Sequence, residues 1–273
     1  MGNTSGRIKS YYRHYDEWGR LARDQYHKLE FETTLHFLRK HLPRHGLILD
    51  AGGGPGRYTI ELARLGYDVI LFDLMPELLG KAREQVKKAG VEERVKGYVR
   101  GSIHDMSRFE TNKFDGVLCL GAPLNHLLDP KQREKAIDEL VRVAKKNAPI
   151  CISVIGRLSN PQTGLVKLPG ELERYPEVYV KMLTTGDYDG SIGFAPCHFF
   201  LLEELEGSLK KRHLRILNRV GLEGLASKRP DDLERLAKRY PNAWKAWMKI
   251  HLETCTHPAV VATSEHFMVI CRK

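Results

Sequence analysis

A short apolar segment that runs into a cluster of glycines constrains the fold of this chain most. Residues 47–58 read Leu-Ile-Leu-Asp-Ala-Gly-Gly-Gly-Pro-Gly-Arg-Tyr, which predicts a strand, a tight turn and the start of a helix. Glycines at such a turn let the backbone approach a ligand closely, and the first turn of a helix offers free N–H groups. The segment therefore predicts a ligand site at the end of a strand.

Apolar runs and helical patterns alternate from residue 46 to residue 155. Strands connected by helical segments favour right-handed crossovers and hence a mostly parallel sheet. The predicted strands are residues 47–49, 69–72, 95–100, 114–120 and 150–155, and the predicted helices lie near 58–65, 76–89 and 131–146.

The segments on either side of this core have a different character. Residues 9–45 look helical and rich in aromatic residues, whereas residues 156–197 contain many glycines and prolines with little clear periodicity. Further along the chain we expect a helix at 201–211, a strand at 214–220, a helical insertion at 230–255 and a final strand at 266–272. We therefore predict an N-terminal helical arm or lid at 1–45 and a main domain at 46–273, with lid insertions at about 156–200 and 228–258.

The formal net charge of +10 suggests a nucleic-acid partner or an anionic substrate. Basic and acidic residues are interspersed, however, and the longest run of like charge is Lys210-Lys211-Arg212. That run follows a predicted helix, where cations also favour the helix dipole. We therefore expect a solvated basic face rather than a nucleic-acid interface.

Cysteine usage and hydropathy indicate the compartment. The five cysteines are widely spaced and include no CxxC pair, which argues against a disulfide framework and against a structural zinc site. No apolar run approaches the ~20 residues of a membrane-spanning helix. Residues 1–10 are polar and lack the apolar core of a signal peptide. We expect a cytoplasmic protein.

Two acidic residues indicate which class of ligand the glycine turn binds. The dinucleotide pattern GxGxxG would need glycine at position 57 or 59, where Arg57 and Thr59 stand. Asp50 precedes the glycines and suits a cationic group better than a pyrophosphate. Asp73 follows the next strand, where a carboxylate can accept hydrogen bonds from both hydroxyls of a ribose.

These motifs resemble those of the class I S-adenosylmethionine-dependent methyltransferases. The likeness runs from about residue 15 to the C-terminus and is tightest between residues 47 and 155. It implies an α/β fold with a Rossmann-like, seven-stranded, mostly parallel sheet in the order 3-2-1-4-5-7-6 and helices on both faces. It also implies a catalytic role for the main domain, with S-adenosylmethionine as cofactor, S-adenosylhomocysteine as product and no metal.

The resemblance further implies where the cofactor lies. Gly52 and Gly54 would lie under the methionine part, with Asp50 orienting its amino group directly or through water, and Asp73 would hold the ribose. Ser102 stands where the family often has an acid facing the adenine amine, so that contact differs here. The predicted cofactor contacts are Asp50, Ala51, Gly52, Gly54, Asp73, Leu74, Met75, Ser102, Ile103, Leu120 and Tyr15.

Two histidines are the candidate catalytic residues. His126 ends the segment Gly-Ala-Pro-Leu-Asn-His at 121–126, which resembles a Gly-x-Pro-Leu-x-His segment of a small-molecule subgroup. It would position or deprotonate the methyl acceptor, since histidine titrates near neutrality; alternatively, it caps a helix or binds a carbonyl. His198 would contact substrate from the lid or serve in packing, and Glu223 could face the same cleft.

An aromatic set in the predicted arm also allows two interpretations. Tyr11, Tyr12, Tyr15 and Trp18 either pack the arm against the domain or close over the cofactor, where aromatic rings favour a sulfonium.

The absence of several known motifs excludes some classes of methyl acceptor. The [DN]-Pro-Pro-[FYW] tetrapeptide of adenine and glutamine N-methyltransferases does not follow the fourth strand, and neither a catalytic cysteine pair nor an obvious carboxylate cluster is apparent. We therefore expect a methyltransferase that modifies an oxygen or nitrogen, less readily a carbon, of a small molecule. Two alternatives stay open, an enzyme that methylates tRNA or rRNA and a non-catalytic protein that binds S-adenosylmethionine.

Overall fold

A seven-stranded sheet forms the centre of the computed structural model, which describes residues 4–273. A separate two-stranded sheet, β6 with β7, lies in the second half of the chain. The strands are β1 (Leu47–Ala51), β2 (Asp68–Asp73), β3 (Val95–Arg100), β4 (Gly116–Cys119), β5 (Pro149–Ile155), β6 (Asp187–Tyr188), β7 (Cys197–His198), β8 (Arg215–Gly221) and β9 (His266–Arg272).

Helices connect the strands of the main sheet and precede it. Among residues 4–273, no helix combines the length and the apolar composition that crossing a membrane requires. The helices are α1 (Thr4–His14), α2 (Glu17–Arg20), α3 (Gln25–His41), α4 (Arg57–Arg64), α5 (Pro76–Ala89), α6 (Pro130–Val143), α7 (Asn160–Val166), α8 (Pro169–Arg174), α9 (Pro176–Thr185), α10 (Leu202–Lys210), α11 (Pro230–Arg239), α12 (Pro241–Thr254) and α13 (Pro258–Thr263).

The strand order of the main sheet is β3-β2-β1-β4-β5-β9-β8. Because β8 and β9 are the sixth and seventh strands of this sheet along the chain, the predicted order is confirmed. Strands β1 to β5 pair in parallel, whereas β9 is antiparallel to both of its neighbours. The start of β9 therefore lies at the edge where the parallel strands end, with His266 opposite Ile155.

Alternating side chains of the central strands fill a core on each face of the sheet. Leu49 and Val117 pack on one face with residues of α6 and α10. Ile48 and Leu118 pack on the other face with residues of α3 and α4. Near-continuous apolar strands are typical of a parallel sheet covered on both sides, and this arrangement leaves the carboxyl edge free for a ligand.

The arm is helical as the sequence indicates, whereas the insertion after β5 is more helical than expected. Helices α1 to α3 occupy the predicted arm, whose first three residues lie outside the described part. Residues 156–197, which show little periodicity, contain α7, α8 and α9. The insertion at 230–255 is two helices rather than one, because Pro241 disfavours the helical conformation at Tyr240, whose φ and ψ are −136° and 67°. The division into an arm and a domain with lids stays a prediction.

Leu118 tests the assignment of the core. Its side chain is fully buried in β4, so Leu118→Ala should lower the free energy of unfolding by about 2–5 kcal/mol in urea denaturation. Leu165→Ala serves as the control, since Leu165 is 75% exposed and its loss should change stability by no more than about 0.5 kcal/mol. Equal losses in the two variants would contradict the assignment.

Candidate active site

The glycine turn after β1 has a backbone that side chains rarely tolerate. Gly52, Gly54 and Gly56 have φ angles of 78°, 53° and 87°, in the left-handed region that favours glycine. A Cβ at Gly52 would lie 2.4 Å from Cγ of Pro123 in the loop after β4, whereas a Cβ at Gly54 would meet no atom closer than 3.8 Å. The turn therefore contacts the next loop tightly at Gly52, whereas a Cβ at Gly54 would make only ordinary van der Waals contact with Glu17 and Leu78.

Asp73 links the end of β2 to this turn. Its Oδ2 accepts a hydrogen bond from the backbone N–H of Gly54 at 2.9 Å, and its Oδ1 accepts one from the N–H of Met75 at 2.8 Å. Burial raises the pKa of Asp73 to about 6, although these hydrogen bonds oppose the shift. The carboxylate is thus held in one orientation at the mouth of the turn.

Asp50 lies beneath the turn and has one oxygen without a partner. Its Oδ2 accepts a hydrogen bond from Oγ1 of Thr59 at 2.6 Å, but the buried Oδ1 has no hydrogen-bond partner among the described residues. Burial raises the pKa of Asp50 to about 6. Because an unsatisfied buried oxygen is costly, this atom favours a donor that a ligand or a water molecule would supply.

The turn and the end of β2 border a cavity of about 140 Å³, which we name the turn cavity. Arm helices α1 and α2 also contribute to its wall. The lining includes Ile8, Tyr12, Glu17, Arg20, Gly52, Gly53, Gly54, Asp73, Leu74, Leu78, Leu120, Gly121, Pro123 and His126.

A second cavity, of about 340 Å³, lies between the arm and the insertion after β5. We name it the aromatic cavity because seven aromatic side chains line it besides Tyr12, which it shares with the turn cavity. Its volume falls in the range of small-molecule pockets. The seven are Tyr11, Tyr15, Tyr26, Tyr179, Tyr188, Phe194 and Phe199.

The two cavities share part of their walls. Tyr12, Glu17, Arg20 and Gly121 line both of them. Three of these residues come from the arm, and Gly121 lies two residues after the end of β4. Ligands bound in the two cavities would therefore share these four residues as contacts.

His126 and Tyr12 form a hydrogen-bonded pair at that wall. Nδ1 of His126 lies 3.0 Å from the carbonyl oxygen of Pro196, which can only accept, so Nδ1 carries the proton. Burial lowers the pKa of His126 and raises that of Tyr12 well above its ordinary value, so both are neutral near pH 7. Nε2 of His126 therefore accepts the hydrogen bond from the Tyr12 hydroxyl at 2.7 Å.

Asn125 fixes the loop that carries His126. Its buried amide donates to the carbonyl oxygens of His198 at 2.7 Å and Ile155 at 3.2 Å, and its Oδ1 accepts from the N–H of Ile155 at 3.1 Å. The side chain thus joins the loop after β4 to the ends of β5 and β7. The imidazole of His126 is consequently held between the arm and the insertion.

Arg20 is a site residue that the sequence analysis missed. Its guanidinium binds both carboxylate oxygens of Glu30 at 2.6 and 3.0 Å, and its Nε donates to Glu17 at 3.0 Å. Burial opposes charge on Arg20, but the two carboxylates raise its pKa well above the ordinary value. Only the folded arm brings these three residues together, so neither motif nor spacing signals them.

His266 continues this charged network to the sheet edge. Its Nδ1 lies 2.7 Å from Glu223 and 4.0 Å from Glu30. Burial lowers the pKa of His266, yet Glu30 and Glu223 raise it to about 9, so the imidazole is protonated near neutral pH. These three residues are the one metal-ligand-like cluster in the described part of the chain, but each carboxylate is already bound to a cation.

The two secondary candidates lie outside both cavity linings. His198 is buried, with Nδ1 2.6 Å from Asp187 and Nε2 2.7 Å from Glu204, so both ring nitrogens already have partners. Glu223 is fully buried and binds Ser264 as well as His266. The structure therefore gives His198 and Glu223 partners within the protein rather than surfaces toward a ligand.

The predicted cofactor contacts fall into three groups. Gly52, Gly54, Asp73, Leu74 and Leu120 line the turn cavity, and Tyr15 lines the aromatic cavity. The remaining five, Asp50, Ala51, Met75, Ser102 and Ile103, lie outside both linings.

Within that third group, Ser102 binds a neighbouring side chain. Its Oγ lies 2.7 Å from Nδ1 of His104.

In the aromatic set of the arm, Trp18 packs under the guanidinium of Arg57 at 4.2 Å, and Tyr11 stacks on Tyr15 at 5.5 Å between ring centroids. Trp18 therefore packs within the protein, whereas Tyr11, Tyr12 and Tyr15 line the aromatic cavity.

Comparison with known families identifies the central part of the chain. Residues 48–147 match the family described as a methyltransferase domain. This central part of the chain is therefore similar to a methyltransferase domain. Its glycine turn, Asp73 and β4 all lie within the matched residues, whereas the arm and the insertions lie outside them.

Curated relatives match about half of the chain or less. The chain is 32% identical over 111 residues to a glycine/sarcosine N-methyltransferase of Aphanothece halophytica, covering 40% of this chain and 41% of the relative. It is 32% identical over 142 residues to a ubiquinone biosynthesis O-methyltransferase of Hahella chejuensis, covering 52% and 54%. The matched region thus spans about half the length of these relatives.

A solved structure supports the fold over a longer stretch. An S-adenosylmethionine-dependent methyltransferase of Methanosarcina mazei superposes with a TM-score of 0.58 at 22% identity, covering 87% of this chain and 96% of the other. At that identity the likeness establishes the Rossmann-like fold. The likeness of residues 121–126 to one small-molecule subgroup stays a prediction.

Protonated His266 should make stability depend on pH. Because its folded-state pKa of about 9 exceeds the ordinary 6.5, its stabilisation is complete below pH 6.5 and is lost as pH rises through 9. Above pH 9 the loss approaches about 3.5 kcal/mol at most, since each pKa unit corresponds to ~1.4 kcal/mol of unfolding free energy. The free energy of unfolding, measured by urea denaturation at pH 6.5 and above pH 9, should change less between these pH values in His266→Gln than in the wild type.

A second histidine variant controls for the loss of a titrating group. His36 lies on the exposed face of α3, so His36→Gln should keep the wild-type dependence on pH. If His266→Gln keeps the wild-type pH dependence, then Glu30 and Glu223 do not stabilise the protonated form of His266.

Proposed function

We propose that this chain transfers a methyl group from S-adenosylmethionine to an oxygen or nitrogen atom of a small molecule. The observation that carries the proposal is the shared wall of Tyr12, Glu17, Arg20 and Gly121 between the turn cavity and the aromatic cavity. A direct displacement needs donor and acceptor aligned and water excluded. Two adjoining cavities, one lined by a methyltransferase-type turn, meet that need.

The residues of the turn cavity suit the proposed cofactor. Asp50 lies outside the lining, so its unpartnered Oδ1 would reach an ammonium group in the cavity through a water molecule. Gly52, Gly53 and Gly54 line the cavity and offer a ligand backbone without side chains. Each oxygen of Asp73 accepts one backbone hydrogen bond and keeps a lone pair for a ribose hydroxyl. When bound, S-adenosylmethionine supplies an electrophilic methyl group.

Tyr12 and His126 supply the proposed proton path. Tyr12 lines both cavities. Its oxygen can accept a hydrogen bond from the O–H or N–H of the acceptor, while its own proton points to Nε2 of His126. Neutral His126 can take that proton as the acceptor loses one to Tyr12. In this arrangement His126 is a positioning residue that acts through Tyr12 rather than the direct base.

Calorimetry tests the cofactor assignment. The purified chain should bind S-adenosylhomocysteine with micromolar or tighter affinity and should not bind NADH. Asp73→Ala should weaken that binding by at least about tenfold, because hydrogen bonds to a charged group contribute roughly 1.5–3 kcal/mol each. Asp68→Ala, at the opposite end of β2, should bind like the wild type. Binding of NADH alone, or unaltered affinity of Asp73→Ala, would contradict the assignment.

Substitutions at the hydrogen-bonded pair test the proton path. Tyr12→Phe and His126→Ala should each lower turnover by about 10²–10⁴-fold while leaving the affinity for S-adenosylhomocysteine nearly intact. His126→Gln should restore part of the activity, since a glutamine oxygen can still accept from Tyr12. Turnover is measured as transfer of labelled methyl groups to the small-molecule fraction of a cell extract, across a range of pH.

A matched variant separates this role from the loss of any tyrosine hydroxyl. Tyr67 donates to the carbonyl oxygen of Pro43 at 2.6 Å, away from both cavities, so Tyr67→Phe should keep full turnover. If His126→Ala is inactive while Tyr12→Phe is active, His126 acts on the acceptor directly.

The same labelling experiment distinguishes the two alternatives. Labelled methyl groups in RNA, with binding that falls steeply as salt rises, would support an RNA substrate. The longest basic run gives that alternative little support, because Lys210 binds Glu206 at 2.8 Å and Arg212 binds both Glu134 and Asp138. Binding of the cofactor without any methyl transfer would support a non-catalytic protein.

A further inference from the structure

Two polar atoms in the wall of the aromatic cavity have no hydrogen-bond partner in the protein. Asn160 and Thr163, both on α7, line this cavity, and their Nδ2 and Oγ1 atoms are buried without a partner among the described residues. Each such group costs about 1–3 kcal/mol if it stays unsatisfied. A ligand with oxygen atoms would satisfy both donors.

His266 offers a third donor to the same cavity. Its Nδ1 binds Glu223, but no hydrogen-bond partner of Nε2 is found in the described part of the chain. With the imidazole protonated, as its raised pKa indicates, Nε2 carries a proton. The ring therefore presents a charged N–H group while its other nitrogen is held in place.

The carboxylates near these donors are already in use. Both oxygens of Glu265 have partners, since Oε1 lies 2.6 Å from Nζ of Lys228 and Oε2 accepts from the Tyr26 hydroxyl. Both oxygens of Glu30 bind Arg20.

Glu171 on α8 also lines the cavity but is only partly buried. The fully buried lining atoms without a partner among the described residues are therefore the donors of Asn160 and Thr163.

The cations of the lining are balanced by carboxylates in and behind it. Three carboxylates line the aromatic cavity against five cations when His266 is protonated, and Glu30 and Glu223 bind Arg20 and His266 from outside the lining. An anion in this cavity is therefore held by local hydrogen bonds rather than by net charge. The carboxylates are Glu17, Glu171 and Glu265, and the cations are Arg20, Arg23, Lys167, Lys228 and His266.

We propose that the aromatic cavity binds an aryl carboxylate, with the carboxylate held by Asn160, Thr163 and His266 and the ring packed among the tyrosines. This inference rests on the proposed function, because it takes the occupant of the cavity to be the methyl acceptor. The carboxylate end binds next to α7 and β9, and the aryl group extends toward the wall that both cavities share.

Paired ligands test the class of acceptor. In calorimetry with S-adenosylhomocysteine present, a panel of hydroxylated and amino-substituted benzoates, phenylacetates and cinnamates is compared with the corresponding primary amides. At least one acid should bind about tenfold or more tightly than its amide, since charge-assisted hydrogen bonds are about twice as strong as neutral ones. Equal binding within every pair, tighter binding of the amides, or no binding of any acid would overturn the inference.

An isosteric substitution tests the binding residues themselves. Asn160→Asp replaces a donor with a carboxylate of the same shape and should lower the affinity for the acid by about tenfold or more through like-charge repulsion. Thr163→Val should weaken it by a smaller factor. Gln162→Glu is the matched control, since it adds the same charge to α7 from a side chain that binds Thr263 outside the cavity. Equal effects of Asn160→Asp and Gln162→Glu would overturn the assignment of Asn160.

Separate titrations keep this inference distinct from the proposed function. S-adenosylhomocysteine is titrated alone into the wild type and into Asn160→Asp, and both should bind it equally because Asn160 does not line the turn cavity. If the cofactor product binds but no acid does, the inference fails and the proposed function stands. If acids bind but the cofactor product does not, the proposed function fails.

Discussion

The buried ion pair between Arg20 and Glu30 is the interaction on which the arrangement of both cavities depends. It joins α2 to α3 and holds the Arg20 guanidinium in the wall that the two cavities share. Breaking such a pair leaves an uncompensated buried charge, which costs about 3–5 kcal/mol. Through Glu30 the charge network reaches His266 and then Glu223. The arm is therefore joined electrostatically to the start of β9 and to the loop after β8.

The topology explains why these charges meet at one edge. Parallel strands end at the same edge, which brings together the glycine turn after β1, Asp73 of β2 and Gly121 after β4. Strand β9 runs antiparallel and so begins where its neighbour β5 ends, with His266 opposite Ile155. The final strand can therefore contribute a residue to the aromatic cavity although it lies more than a hundred residues from the glycine turn in sequence.

The parts of the site that the sequence predicts are those encoded locally. The glycine turn, Asp50 and Asp73 follow from residues within one strand-turn-helix unit and the strand after it. The alternation of strands with helices predicts a mostly parallel sheet, whereas the order of its seven strands is predicted only through the resemblance to the class I methyltransferases. The roles of Arg20, Glu30 and Asn160 depend on how the arm and α7 pack against the domain, which no local pattern encodes. Similarly, the pairing of His198 with Asp187 and Glu204 appears only once β6, β7 and α10 are assembled.

One loop couples the two cavities. Gly121 and Ala122 have φ angles of 75° and 67°, and for alanine this left-handed conformation is unfavourable. The turn it makes presses Pro123 against Gly52, puts Gly121 in the shared wall and directs His126 toward Tyr12. A displacement of this loop would therefore move the roof of the turn cavity and the Tyr12–His126 pair together. Residues 121–126 thus contribute both to the lining of the turn cavity and to the shared wall. The contacts of Pro123 with Gly52 and of His126 with Tyr12 and Pro196 hold Ala122 in its unfavourable conformation.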